Sequence, residues 1–294
     1  MSIRTSTLFR GMTSDGQFRL FAADTAEVVQ NARDLHDLSP LATILMGRMI
    51  SLAALMSAEL KSPEDELTLR VEGSGELRGG VVITDMRGNI RCYAYNPHVY
   101  IDIREDNFMV GKNLGDGYMS VMRNLKGQPP YTGTIPLQSG EIGEDAVYYY
   151  QQSAQTPTAI NLGVLIDPHA RIRTAGGIML QQLPEASESL IEKIEKNMAL
   201  TPNISDLMDM GLSLEEILNR FVLRDIPWEC TDRHSIRYHC TCSKESFARA
   251  LLLLGKEELA QMSSGIVPVC HYCNRSYSFD TKDIEDIIKT LEST

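Results

Sequence analysis

Basic charge is scarce in this chain. Its 294 residues carry 28 Lys and Arg against 39 Asp and Glu, a formal net charge of −11. Affinity for nucleic acid comes mainly from neutralised phosphates, so no nucleic-acid partner is expected. An uncharged apolar run long enough to span a bilayer is also lacking. The nearest candidate, Leu41 to Leu60, contains Arg48 and Glu59. A bilayer centre penalises such charges, so this segment is expected to be a buried core helix, with no membrane partner. The N-terminus has neither an apolar core nor a small-residue cleavage site, and the expected location is cytoplasmic. No Walker A sequence, internal repeat or low-complexity tract occurs.

What remains is ordinary globular composition, 43% hydrophobic and 23% charged, in a chain long enough for one large domain and a smaller one. Residues 1–184 read as a core domain of mixed helix and strand. An opening hairpin is expected around the Asp15-Gly16 turn signal, and Ser39-Pro40 supplies an N-cap and a first-turn proline for the long apolar helix. The runs Leu67 to Val71, Gly80 to Ile83, Ile90 to Tyr95, Val99 to Ile103 and Asn161 to Ile166 are β-rich and separated by turn residues. Helix and strand do not alternate strictly, which favours α+β over a doubly wound sheet.

Residues 185–236 read as a helical linker. Residues 185–229 alone carry ten Asp/Glu and four Lys/Arg, concentrating more than half of the net negative charge in one segment. Ser213 with Glu216 forms a capping-box pattern, followed at helical spacing by Leu214, Ile217, Leu218, Phe221 and Val222. Ser189 with Glu192 repeats the pattern earlier, and Thr201-Pro202 and Gly211 break the helices apart. Short amphipathic helices are marginal alone and need a surface to lie on. Two readings follow: a permanently packed linker, or one whose apolar faces become available when its support is lost.

Residues 237–294 hold the cysteine constellation. Cys240-Thr241-Cys242 is followed after 27 residues by Cys270-His271-Tyr272-Cys273. Two close pairs around a helical segment can converge on one tetrahedral centre. Zinc favours four thiolates, and four protein ligands leave no open position for catalysis. His239 and His271 read as neighbours rather than ligands, Cys92 as core, and Cys230 as either an inert or an accessory thiol. Zinc thiolates also oxidise: a sulfenic acid condenses with a nearby thiol and the metal is lost. Cys240 with Cys242, and Cys270 with Cys273, are placed to form local disulfides. A segment of this size has little core with which to replace a structural metal.

At these residues the chain resembles the redox-regulated bacterial holdase chaperones, the thirty-three-kilodalton heat-shock family. The CxC and CxxC pairs carry the resemblance, with Ala175-Gly176-Gly177-Ile178-Met179-Leu180-Gln181-Gln182-Leu183-Pro184, Gly47-Arg48 and Tyr131-Thr132-Gly133. Ala154 stands where the family usually has glutamate, and Cys230 is an additional thiol. The resemblance implies a non-enzymatic, ATP-independent chaperone, monomeric and inactive when reduced and zinc-bound. Oxidation would release zinc, unfold the C-terminal domain and the linker, and expose apolar surface to unfolding client proteins, with homodimers forming. Leu214, Ile217, Leu218 and Phe221 are the candidate client contacts. A constitutive zinc-stabilised binding module and a thiol–disulfide oxidoreductase are the rival readings. Against the oxidoreductase, the residues after Cys273 read as a strand rather than the helix N-terminus that lowers a thiol pKa.

Overall fold

A computed structural model of the chain describes residues 5–100 and 109–292. The chain divides into two compact units, Met1–Tyr238 and His239–Thr294. In the first, β1 (Thr7–Thr13) and β2 (Phe18–Asp24) form the expected hairpin. They are followed by α1 (Ala26–His36), α2 (Pro40–Ser57), β3 (Glu66–Gly73), β4 (Gly79–Asp85) and β5 (Asn89–Ala94). Then come α3 (Val110–Leu114), β6 (Gly117–Asn124), β7 (Tyr131–Pro136), α4 (Gly143–Tyr149), β8 (Thr158–Ile166) and β9 (Ile172–Gln182). The unit ends with α5 (Glu188–Leu200), α6 (Ile204–Asp209), α7 (Leu214–Ile217), β10 (Trp228–Ser235) and β11 (Arg237–Tyr238). Of the strand expected from Val99 to Ile103, residues Ile101, Asp102 and Ile103 lie outside the described residues.

Among the described residues the strands make two sheets, ordered β10-β1-β2-β9-β8 and β11-β5-β4-β3-β6-β7. The architecture is α+β. Helix α2 packs against strands of both sheets, which explains its sequence. A helix covered on every side reads as apolar all round rather than amphipathic. Its Leu45, Met46, Met49, Ile50, Leu52 and Leu55 are fully buried. Gly47 and Gly177 permit this approach: a Cβ on Gly47 would meet Val164 Cγ2 at 2.8 Å, and one on Gly177 would meet Leu162 Cδ2 at 2.6 Å and Leu55 Cδ1 at 2.9 Å.

The five-stranded sheet has two apolar faces. Strand side chains alternate in direction, and on β2 Phe21 and Ala23 join the core around α2 while Phe18, Leu20 and Ala22 point the other way. The second face is covered by the segment that follows β9. Ile194, Ile204, Leu207, Leu214, Ile217, Leu218 and Val222 lie buried against it. Residues 185–236 therefore belong to the first compact unit.

Some local expectations fail for physical reasons. Ser39 occupies the N-cap of α2, but its Oγ is buried without a partner. Helix α5 starts at Glu188, so Ser189 is inside it rather than capping it. The chain enters α5 pinned to the first hairpin: Ser187 N donates to Gln17 Oε1 (2.7 Å) and Leu183 N to Gln17 O (2.9 Å). The linker's last part is strand, not helix. β10 pairs antiparallel with β1 although six of its eight residues are polar, because an edge strand with an open outer face is held by backbone pairing, with Trp228 stacked on Phe9 at its start.

One buried carboxylate ties distant elements together. Glu59 lies just after α2 with its side chain only 9% exposed. It accepts hydrogen bonds from Gln181 Nε2 (2.9 Å), Tyr150 Oη (3.0 Å) and Arg19 Nη2 (3.4 Å), and pairs closely with Arg123. These partners come from β9, the turn after α4, β2 and β6. Burial disfavours the Arg123 charge, yet Glu59 holds its pKa above the ordinary guanidinium value. Removing one member of a buried pair strands the other charge. Glu59→Ala is therefore expected to destabilise the first unit by about 3–5 kcal/mol, read as a lowered denaturant midpoint; an unchanged midpoint would show the network to be dispensable.

Candidate metal centre

The second unit builds its centre from two backbone turns. Cys240 and Cys242 lie on the segment before α8 (Lys244–Leu252), whose start is fixed by Ser243. The Ser243 Oγ accepts from Ser246 N (3.2 Å), and Ser243 N donates to Ser246 Oγ (3.0 Å), a reciprocal cap. After α9 (Lys256–Gln261), Cys270 and Cys273 occupy a tight turn. Cys273 N and Asn274 N both donate to Cys270 O, at 3.3 and 2.8 Å, and Asn274 takes the left-handed conformation (φ 52°) that asparagine tolerates. Bridges Val269↔Ser276 and Ile266↔Phe279 pair the flanking segments where a continuous strand was expected after Cys273. Helix α10 (Thr281–Glu292) closes the unit, capped by Asp280, whose Oδ1 accepts from Asp283 N at 2.9 Å.

These turns bring four sulfurs together. The Sγ atoms of Cys240, Cys242, Cys270 and Cys273 all lie within 4.8 Å of one another. Cys240 Sγ is 3.7 Å from Cys270 Sγ, and Cys242 Sγ is 3.3 Å from Cys273 Sγ. A tetrahedral zinc with bonds near 2.3 Å needs sulfurs about 3.8 Å apart, whereas a disulfide needs about 2 Å. The spacing and the all-thiolate donor set fit a tetrahedral metal, and all four thiols are free. The cluster is of cysteines alone; His239 and His271 do not join it.

Burial pushes the Cys240 and Cys273 thiols up, with contacts among the cysteines contributing. For Cys242 burial pushes the same way, but hydrogen bonds from Tyr277 and the neighbouring thiols outweigh it and bring the value down to about 7. The apolar core of this unit is small. Among the described residues its buried apolar side chains are Leu251, Leu259, Phe279, Ile284 and Ile287, with Phe247, Tyr277 and five other partly buried ones packed against them.

The other sequence-selected residues lie in the first unit. Leu214, Ile217 and Leu218 are buried against the second face of the five-stranded sheet, beside Phe9, Phe18 and Leu20, and Phe221 is half-buried there. A π-helical turn at Leu218–Val222, closed by Leu223 N to Leu218 O (2.7 Å), continues α7. Cys230 is exposed on β10. Cys92 is fully buried, and burial pushes its thiol up to about 12, so it is inert. Tyr277 was not singled out from sequence. Its hydroxyl lies 3.1 Å from Cys242 Sγ and donates to Cys242 O at 2.9 Å. Its place four residues after the CxxC pair is the only sequence signal it carries.

The family described as Hsp33 protein matches residues 6–280. A protein named 33 kDa chaperonin from Desulforamulus reducens is 37% identical over 289 residues, covering 97% of this chain and 98% of its own. Another of that name from Acetivibrio thermocellus is 37% identical over 290 residues, with the same coverage. The crystal structure of the 33 kDa chaperonin (heat shock protein 33 homolog) from Thermotoga maritima superposes with a TM-score of 0.90 at 32% identity, over 99% of this chain and 100% of that one.

Losing one of four ligands costs more than the 10–100-fold typical of an outer-shell change, so Cys240→Ser is expected to weaken zinc binding by more than about a hundredfold. Competition titration against a chromogenic chelator measures this, and wild-type affinity in the variant would remove Cys240 from the ligand set.

Proposed function

The chain belongs to the Hsp33 family, and from that premise we propose that it is an ATP-independent holdase released by oxidation of Cys240, Cys242, Cys270 and Cys273. The observation that carries this reading is the convergence of the four thiols in a unit whose buried apolar core is small. Zinc, when bound, joins the CxC and CxxC turns and supplies folding free energy that so small a core lacks. Reduced protein is folded, monomeric and inactive as a chaperone.

Oxidation proceeds on this chain's sulfurs. A thiolate attacks one oxygen of hydrogen peroxide, the O–O bond breaks, hydroxide leaves and a cysteine sulfenic acid forms. A second thiol attacks that sulfur, forming the S–S bond and expelling the oxygen as water. Cys240 with Cys242 and Cys270 with Cys273 are the proposed pairs. Each disulfide would take two thiolates out of the set that holds zinc, so that the unit would lose both its ion and what keeps it folded.

The surface put to use is the one under residues 185–226. Their helices are short, and an open cleft of about 550 Å³ lined by Phe18, Leu180, Ile191 and Ile194 lies beneath α5. A cover of short helices over such a cleft is poorly packed by the standard of a protein interior. Leu214, Ile217, Leu218 and Phe221 and the sheet side chains beneath them then bind unfolding clients, and the opened protein forms homodimers. The reduced thiols suit a cytoplasmic protein.

Peroxide at elevated temperature is expected to release one zinc, consume four thiols and switch on suppression of client aggregation together. Zinc loss without suppression would favour a constitutive binding module. Catalytic insulin reduction by the reduced protein, lost on replacing Cys270 or Cys273, would favour an oxidoreductase. A cavity-forming change in the cover, Leu218→Ala, costs about 2–5 kcal/mol and is expected to give the reduced protein partial aggregation suppression, measured by light scattering. Wild-type silence in that variant would count against the covered face as the client surface.

A further inference from the structure

The hydroxyl of Tyr277 serves two acceptors on one residue. Its one proton is shared in a bifurcated bond between Cys242 O at 2.9 Å and Cys242 Sγ at 3.1 Å, a charged thiolate drawing the larger part. The ring is held independently, packed on Phe247 with centroids 5.0 Å apart. A neutral donor aimed at one sulfur of four breaks the symmetry of the centre. A thiolate that accepts a hydrogen bond has part of its lone-pair density engaged and is a weaker nucleophile toward peroxide.

We propose that Tyr277 is a positioning residue that shields the Cys242 sulfur, so that peroxide attacks Cys240, Cys270 or Cys273 before Cys242. This rests on the reading of the four cysteines as an oxidisable zinc centre and adds an order to it. The first step is the balanced one given above, a thiolate taking one oxygen from peroxide as hydroxide leaves. Tyr277 transfers no proton and is recovered unchanged.

The test uses the full-length protein carrying Tyr277→Phe, which keeps the ring against Phe247 and deletes only the hydroxyl. Cobalt(II) loaded in place of zinc reports the sulfur directly. The thiolate-to-cobalt charge-transfer band is expected to move to longer wavelength while the four-thiolate pattern persists, a change that lost packing would not produce. With zinc bound and limiting peroxide, sulfenic acids are trapped with a 1,3-dione and located by peptide mass spectrometry. The Cys242 share of first products is expected to rise about three- to tenfold, the range spanned by one ordinary net hydrogen bond, as befits a proton shared with a carbonyl. An unmoved band with Cys242 oxidised as before overturns the proposal. If the variant does not take up cobalt with the four-thiolate spectrum, the wild-type protein carries the test: Cys242 is expected to take the smallest share of the first sulfenic acids, and a share equal to or above that of the other three cysteines overturns the proposal. Failure of the underlying reading looks different: wild-type protein would keep its zinc under peroxide.

Discussion

Four sulfurs crowded within 4.8 Å cannot all be anionic without a cation between them. That electrostatic requirement bears hardest on the second unit, whose buried apolar side chains are few. Burial and crowding oppose ionisation of Cys240 and Cys273, so the thiolate form there depends on a positive charge at the centre. The same four atoms are the most oxidisable groups in the unit. On the proposed reading, structural strength and chemical weakness reside in one place, so that an oxidant reaching the sulfurs would act on the fold itself.

The first unit is built on the opposite principle. Its centre is a helix covered by two sheets, with Glu59 joining four further elements through Gln181, Tyr150, Arg19 and Arg123. None of this involves an oxidisable ligand set, and Cys92 within it is sealed and protonated. The two units thus differ in what can undo them, which is the physical precondition for a protein that loses one part while keeping another.

Much of this was legible in the chain, and the exceptions are instructive. The cysteine pairs announce themselves because zinc needs close ligand spacing, and Ser213 with Glu216 forms the reciprocal cap that its spacing requires, Ser213 Oγ accepting from Glu216 N at 3.2 Å and Ser213 N donating to Glu216 Oε2 at 2.9 Å. Local motifs of this kind depend on neighbours in sequence. Ser189 failed because a contact with Gln17, 170 residues from Ser187, sets where α5 begins. β10 was illegible because its residues carry no apolar alternation, its place being set by backbone pairing with β1. The Glu59 network and Tyr277 were illegible for the same reason: a hydrogen bond between distant residues leaves no period in the sequence.

The five-stranded sheet has one face committed to α2 and the other to short helices. On the proposed mechanism only the second commitment is conditional. A scaffold arranged in this way can uncover its working surface without dismantling the platform that carries it. Refolding after reduction then needs to re-lay a cover on a template that never left, rather than find the whole fold again. Reuse would then be built into the layering: the sheets and α2 are made once, and the part that cycles is a single contiguous run of chain laid back on contacts such as Ser187 with Gln17.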